Sequence, residues 1–321
     1  MIRSLAALLI TSIGLASPSW AAWPERPLRL VVPYPAGGGV DTVARVYGAA
    51  LADLIGTQVI VDNRPGASGA IGAQAVVKAD PDGYTFLVSS PAEVLVSAIA
   101  GQSLPYNPQT DLAPVALAGE TPLGIVAYPK SAPPDLKTLI EQAKAKSLQL
   151  SYGTPGTGST MNFAGEAIKA ATGLQWQQVP YKGAAPAVND VLGGQIEIVI
   201  SGLPPLVQHI KAGNLTALAV TSAKRSGLLP DVMAVSELPG LSGFRFTNWM
   251  GIFAPRGTPA DIIDKMGQAF EAAAKKPEVA KRLQDAGVEP SGIQGAAFAK
   301  FLDDERERYM AVAKTTVIKT D

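Results

Sequence analysis

The sequence contains no cysteine and only one histidine, His209. Without thiols there are no disulfides, thiolate zinc sites or thiol nucleophiles, and one imidazole alone cannot build the usual transition-metal site. A thiol-free chain suits an oxidising compartment, where a stray sulfhydryl is a liability. Charge of one sign is missing too: 27 Lys and Arg stand against 27 Asp and Glu. Removing Arg3 with the leader described below leaves 26 basic and 27 acidic residues, a net of −1. Such a balance offers no basic face to nucleic acid or to an anionic membrane. Beyond the leader, no apolar run approaches the roughly 20 residues needed to span a bilayer. Enzyme signatures are also lacking. Ser68 lies in Gly66-Ala67-Ser68-Gly69 and Ser159 in Thr157-Gly158-Ser159-Thr160, neither of which is the G-x-S-x-G elbow of a serine hydrolase. His209 stands in the helix-like Leu206-Val207-Gln208-His209-Ile210 with no catalytic partner nearby, and Asp303-Asp304 and Glu305 with Glu307 read as a solvated helix face.

What is present begins with a leader. Arg3 precedes an apolar stretch from Leu5 to Ala16, Ser17-Pro18 breaks it, and Ser19-Trp20-Ala21 supplies small residues at the positions a signal peptidase reads. Residues 1–21 are therefore expected to be a cleavable secretory signal, and the mature protein an exported, periplasmic one.

The remaining residues alternate between strand-like and helix-like runs. Leu28 to Val32, Val59 to Val61 and Tyr84 to Val88 read as strands, separated by helices over Asp41 to Leu54 and Ile71 to Ala79. The rhythm restarts at Leu123 to Tyr128 and continues through helices at Pro134 to Ala145, Ser159 to Ala171 and Ala185 to Leu192. A strand over Thr247 to Ala254 precedes a helical C-terminus. Two β-α-β series predict an α/β chain with two lobes, each a largely parallel sheet covered by helices. The expected division is residues 22–123 and 248–321 for lobe 1 and 124–247 for lobe 2. Two crossovers would make a hinge.

Two glycine-rich turns sit where a strand enters a helix. Pro33-Tyr34-Pro35-Ala36-Gly37-Gly38-Gly39 follows Leu28 to Val32, and Gly153-Thr154-Pro155-Gly156-Thr157-Gly158-Ser159-Thr160 follows Leu148 to Tyr152. Such turns aim backbone N–H groups at a helix N-terminus and can hold an anion. The second lacks the Gly-Lys-Ser/Thr of a P-loop, and its G-x-x-G-x-G order is not a dinucleotide fingerprint. Neither contains Lys or Arg, which a phosphate would usually recruit. A carboxylate needs only amides and hydroxyls. Asp41, in the first helix turn, can cap free N–H groups, and Ser159 or Thr157 can cap the second helix.

These segments, taken in order, resemble the Bug family of periplasmic solute receptors, the binding component of tripartite tricarboxylate transporters. The resemblance runs through Pro33-Tyr34-Pro35-Ala36-Gly37-Gly38 with Asp41 and Arg45, Val61-Asp62-Asn63-Arg64-Pro65-Gly66-Ala67, Asp82-Gly83-Tyr84-Thr85 and Ser151-Tyr152-Gly153-Thr154. It continues in Val179-Pro180-Tyr181-Lys182-Gly183, Gly193-Gly194-Gln195, Ala219-Val220-Thr221-Ser222 with Lys224-Arg225-Ser226, and Gly251-Ile252-Phe253-Ala254-Pro255. It implies a two-lobed periplasmic binding protein of the Venus-flytrap kind, closing on a small carboxylate; no cofactor or metal is expected. The implied ligand contacts are Tyr34, Ala36, Gly37 and Gly38 in the first lobe and Thr154, Gly156, Thr157, Gly158 and Ser159 in the second. Ser68 and Ser90 are expected at the same cleft from the strand-end rule. Asp190 is a partner for a ligand amine or hydroxyl, and Asp41, Tyr181 and Ser201 complete the candidate set.

Three positions depart from the family pattern: Asn162, Met233-Ala234, and Ser201 at the end of Ile200-Ser201-Gly202. The first and third would reshape the far end of the pocket and favour a monocarboxylate or aromatic acid over citrate. The expected function is capture of a small organic acid by a monomer, for delivery to the permease subunits of a membrane transporter. The alternatives are an exported α/β enzyme acting on a carboxylic acid or ester, and a ligand-sensing subunit of a signalling system.

Overall fold

The structure is a computed structural model describing residues 23–130 and 132–316; the expected signal at 1–21 lies outside the described residues. The chain opens with β1 (Leu28–Val32), α1 (Gly39–Ile55), β2 (Val59–Asn63), α2 (Ala70–Val77) and β3 (Thr85–Ser89). Parallel pairing of β1 with both β2 and β3 makes β1 an interior strand. Alternation then sends Leu28, Leu30 and Val32 to one core and Val31 to another, so a nearly all-apolar strand is buried on both faces. Helix α1 covers the first face with Val43, Tyr47 and Leu51, spaced at i, i+4 and i+8, and ends on Gly56 in the left-handed conformation.

After β3, a π-helical turn (Ala92–Val96) runs into α3 (Ser97–Ile99), and the chain then enters β4 (Leu112–Ala127), a strand of 16 residues. The second series follows: α4 (Leu136–Ala145), β5 (Leu150–Thr154), α5 (Thr160–Thr172), β6 (Trp176–Pro180), α6 (Ala184–Leu192), β7 (Ile198–Gly202), α7 (Leu203–Lys211) and β8 (Thr216–Val220). The chain returns along β9 (Thr247–Pro255) and finishes with α8 (Ala260–Ala274), α9 (Pro277–Asp285), β10 (Glu289–Gln294) and α10 (Gly295–Thr315).

Pairing defines two sheets that share β4. Residues 112–122 of β4 lie antiparallel between β9 and β10, and residues 123–127 lie antiparallel between β7 and β8. The first sheet therefore reads β2-β1-β3-β9-β4-β10 and the second β8-β4-β7-β5-β6. Thr221 pins the place where the chain changes sheets. Its N–H donates to Leu123 O (3.1 Å), it accepts the N–H of Phe246 at its own carbonyl (2.9 Å), and its hydroxyl reaches Phe246 O (2.5 Å).

Two features depart from the sequence reading. The strand expected at Leu123 to Tyr128 is the second half of the longer β4, whose first half carries Pro114, Gly119 and Pro122. β10, Glu289-Pro290-Ser291-Gly292-Ile293-Gln294, was not anticipated as a strand. Proline and glycine are poor strand residues; Pro114, Gly119, Pro290 and Gly292 lie at register breaks with pairing restored on either side, while Pro122 ends the stretch paired with β9.

Helix α10 touches both sheets' surroundings. It packs on β4 and β10, and it also meets α5. Tyr309 meets Phe163 (4.9 Å between centroids) and Phe246 (5.3 Å) edge to face, and its hydroxyl donates to Thr160 Oγ1 at 3.1 Å.

Candidate functional site

The two glycine turns face one another across a cavity of about 550 Å³. From the first series it is lined by Tyr34, Pro35, Ala36, Gly38, Gly39 and Val40, and from the second by Pro155, Gly158, Ser159, Thr160 and Met161. Ser90, Ala92 and Val96 close one side, and Thr121 of β4 with Asn248 and Met250 of β9 close the floor. No lining residue carries a charge.

Both helix starts are built alike. The N-cap of α1, Gly38, has φ −77° and ψ 169°, and that of α5, Ser159, has φ −78° and ψ 159°. Each cap follows a glycine with positive φ, Gly37 at 85° and Gly158 at 72°, which an L side chain would strain. In each case an Asx residue four positions on reaches back to that glycine's amide. Asp41 Oδ2 accepts Gly37 N–H at 2.8 Å, and Asn162 Oδ1 accepts Gly158 N–H at 3.1 Å. The glycine amides are thereby used inside the turns. The next helical amides, those of Gly39, Val40, Thr160 and Met161, have no hydrogen-bond partner among the described residues, and all four residues line the cavity. Two helix N-termini thus offer unengaged donors and the positive ends of their dipoles to one uncharged space.

The candidate residues divide accordingly. Tyr34, Ala36, Gly38, Ser90, Gly158 and Ser159 come together at the cavity. Gly37 and Asp41 sit behind it. Asp41 also accepts from Arg45 Nε (2.9 Å) and Asn63 Nδ2 (2.9 Å); burial opposes its charge, but these donors hold its carboxyl below the usual range. Thr154 is buried, donating to Gly156 O (3.2 Å) and accepting from Gln178 (2.7 Å), and neither Thr154, Gly156 nor Thr157 is part of the lining. Tyr181 donates to Asp190 at 2.7 Å, forming a pair outside the lining. Ser201 is buried on β7, its hydroxyl without a partner among the described residues, and is not in the lining. Ser68 belongs to a separate cavity of about 380 Å³ with Gln102 and Leu104.

Sequence reasoning stopped one or two residues short. Gly39 and Thr160 were read as part of the turns, but neither they nor Val40 and Met161, whose amides remain unengaged, were placed among the ligand contacts. The signal was available as the shared spacing Gly37-x-x-x-Asp41 and Gly158-x-x-x-Asn162. Thr121 and Asn248, directly opposite each other on the crossover strands, carried no local signal. Glu93 did: it is the one charged residue in the apolar run Ala92-Glu93-Val94-Leu95-Val96.

Glu93 is fully buried beneath Tyr34 and Ser90. Its Oε1 accepts Ser90 N–H at 2.7 Å, and its Oε2 accepts the hydroxyls of Tyr34 (2.7 Å) and Ser90 (2.8 Å). Burial, only partly offset by these donors, leaves its carboxyl pushed up to about 7.

Two α/β sheets joined by crossover strands around such a cavity define a periplasmic binding protein, and the solved structures that match are of this class. R. palustris Rpa4515, solved with adipate, is 32% identical with a TM-score of 0.78, over 93% of this chain and all of that one. MatC from Rhodopseudomonas palustris, solved with bound malate, is 29% identical with a TM-score of 0.71, over 90% of this chain and 99% of that one. In sequence, BugT of Bordetella pertussis is 36% identical over 99% of both chains. The profile of the tripartite tricarboxylate transporter family receptor matches residues 43–317. The chain belongs to that family, which is one of solute receptors rather than of enzymes.

Proposed function

We propose that this chain is exported by its leader, captures a small organic acid in the periplasm between lobes 22–123 with 248–321 and 124–247, and presents it to the membrane subunits of a tripartite transporter. The observation that carries the reading is the pair of helix N-termini whose unengaged amides open on one uncharged cavity. An anion there satisfies donors from both lobes at once, so the closed form gains contacts the open form lacks. The Thr160 hydroxyl, which accepts from Tyr309, keeps its own proton to supplement the amides, whereas Ser159 Oγ donates to Gly156 O within the turn. Relatives solved with adipate and malate support a carboxylate as the bound group. The remaining wall is largely apolar, with Val40, Ala92, Val96, Met161 and Met250, which favours an acid with an apolar body over citrate.

The test is a thermal-shift screen of mono-, di- and tricarboxylates, followed by recovery of the ligand from denatured protein. A bound acid at 100 times its Kd should add about 2.7 kcal/mol of stability and be recovered chemically unchanged. Citrate outcompeting every monoacid would refute the apolar preference, and turnover would refute the receptor reading. Occlusion can be tested at Gly39. A Cβ there meets nothing within 4 Å and the residue has helical backbone geometry. Gly39→Leu is therefore expected to fold normally while weakening acid binding about tenfold or more, roughly 1.4 kcal/mol. Gly37 is the less informative position, because its positive φ would strain any side chain.

A further inference from the structure

Glu93, Tyr34 and Ser90 place three side-chain oxygens at mutual distances of 2.7, 2.8 and 2.8 Å. Tyr34 and Ser90 line the cavity, and Glu93 lies behind them. When Glu93 is ionised, only two hydroxyl protons serve these three contacts. Two of the contacts can then be hydrogen bonds and the third sets lone pairs against each other; with both hydroxyls donated to Glu93 Oε2, that third contact is the 2.8 Å one between Tyr34 and Ser90. In that arrangement the cavity sees acceptors with a negative charge directly behind them, a poor lining for an anion. One added proton on Glu93 supplies the missing donor: the carboxyl can donate to Ser90, whose own proton is then available either to Tyr34 or to an anion in the cavity.

No cation pairs with this carboxylate among the described residues. The turn Ala67–Gly69, helix α2, strand β3 and helix α3 all pack against the π-helical turn and bring no ionisable side chain. The ionisable groups facing Glu93 are the phenols of Tyr34 and Tyr106, the latter donating to the Glu93 carbonyl at 2.8 Å, and burial raises both phenols, so they stay neutral. The enclosure is close: a Cβ on Gly69, which has φ +94°, would lie 3.0 Å from the Glu93 carboxyl.

We propose that Glu93 is the proton-binding member of the site, so that an organic acid enters as its anion together with one proton from solvent, held on Glu93 beneath Tyr34 and Ser90. The proposal rests on the carboxylate reading above. It is consistent with the position of the Glu93 carboxyl near neutrality.

The experiment is titration calorimetry of adipate and of benzoate in two buffers of different ionisation enthalpy. Proton uptake approaching one per acid bound is expected at the alkaline end, and affinity about tenfold weaker at about pH 8 than at about pH 6. Glu93→Gln should bind with little dependence on pH and no proton uptake. Binding with neither uptake nor pH dependence in the wild type overturns the proposal and leaves the carboxylate reading standing; this arm decides alone if the variant does not fold. Infrared spectra of the unliganded protein should show a carboxylic C=O band that fades between those pH values, and its absence also overturns the proposal. Failure of either acid to bind at any pH counts against the carboxylate reading and removes the proposal with it.

Discussion

Replacing Glu305 with alanine is expected to lower the free energy of unfolding by about 3–5 kcal/mol. Glu305, expected from the sequence on a solvated helix face, is instead fully buried on α10, where it holds the two crossover strands to that helix. Its Oε1 accepts from Arg245 at 2.6 Å and also from Arg308, and its Oε2 accepts the indole N–H of Trp249 at 2.8 Å. Arg245 in turn donates to Glu120 of β4 at 2.6 Å and lies over the ring of Phe301 at 4.4 Å. Burial raises the Glu305 carboxyl, while Arg245 and Arg308 draw it back down. The net worth of such a pair against an apolar replacement can be small, but removing one partner is different. Alanine would leave the Arg245 side chain, only 16% exposed, with one carboxylate instead of two, and the Trp249 N–H with none. Urea denaturation of both proteins measures the difference. Glu305→Gln, which keeps an acceptor for Trp249, should fall between them. A loss below about 1 kcal/mol for alanine would mean that water enters and replaces the carboxylate. Because Glu120, Arg245 and Trp249 flank the residues where the chain changes sheets, the alanine protein should also bind acid more weakly.

Much of this architecture was legible from local pattern. The strands of the first sheet stand out because β1 and β3 are buried on both faces and so read as unbroken apolar runs, and the turns stand out because glycine must supply the positive φ at 37 and 158. What was hidden depends on contacts distant in sequence. Nothing in Leu112 to Pro122 announces that it continues into Leu123 to Ala127 as one strand, since the prolines read locally as breaks and only pairing with β9 shows otherwise. The cavity floor is invisible for the same reason: Thr121 and Asn248 become neighbours only through that pairing. Asp41 and Asn162 were noticed as a cap and as a departure from the family pattern, but their common role lies in a backward bond to a glycine amide, visible only when the two turns are compared. Thr221 belongs to one of the motifs shared with the family, and its bonds explain it as a pin between the crossover strands.

The second large effect concerns pH and folding rather than binding. In the absence of ligand, the wild type is expected to lose about 3 kcal/mol of stability relative to Glu93→Gln between roughly pH 4.5 and pH 7, this being a gap of some 2.5 pKa units at about 1.36 kcal/mol each. The sign follows from where the proton is held more tightly. Burial raises the Glu93 carboxyl from its ordinary value of 4.5 to about 7 in the folded chain. Below the unfolded value both states carry the proton, and the contribution of Glu93 is fully present. As pH rises past it, the unfolded chain releases the proton while the folded chain still binds it, so stability falls until the folded group also ionises. Glutamine cannot titrate, and the titrations of all other carboxylates cancel when the two proteins are compared at each pH. Urea denaturation midpoints across that range supply the measurement. Parallel curves for the two proteins would show that Glu93 is solvated or paired in a way its buried contacts with Tyr34 and Ser90 do not allow. A descending difference would mark a group whose folding cost at neutral pH an acid ligand and its proton can recover.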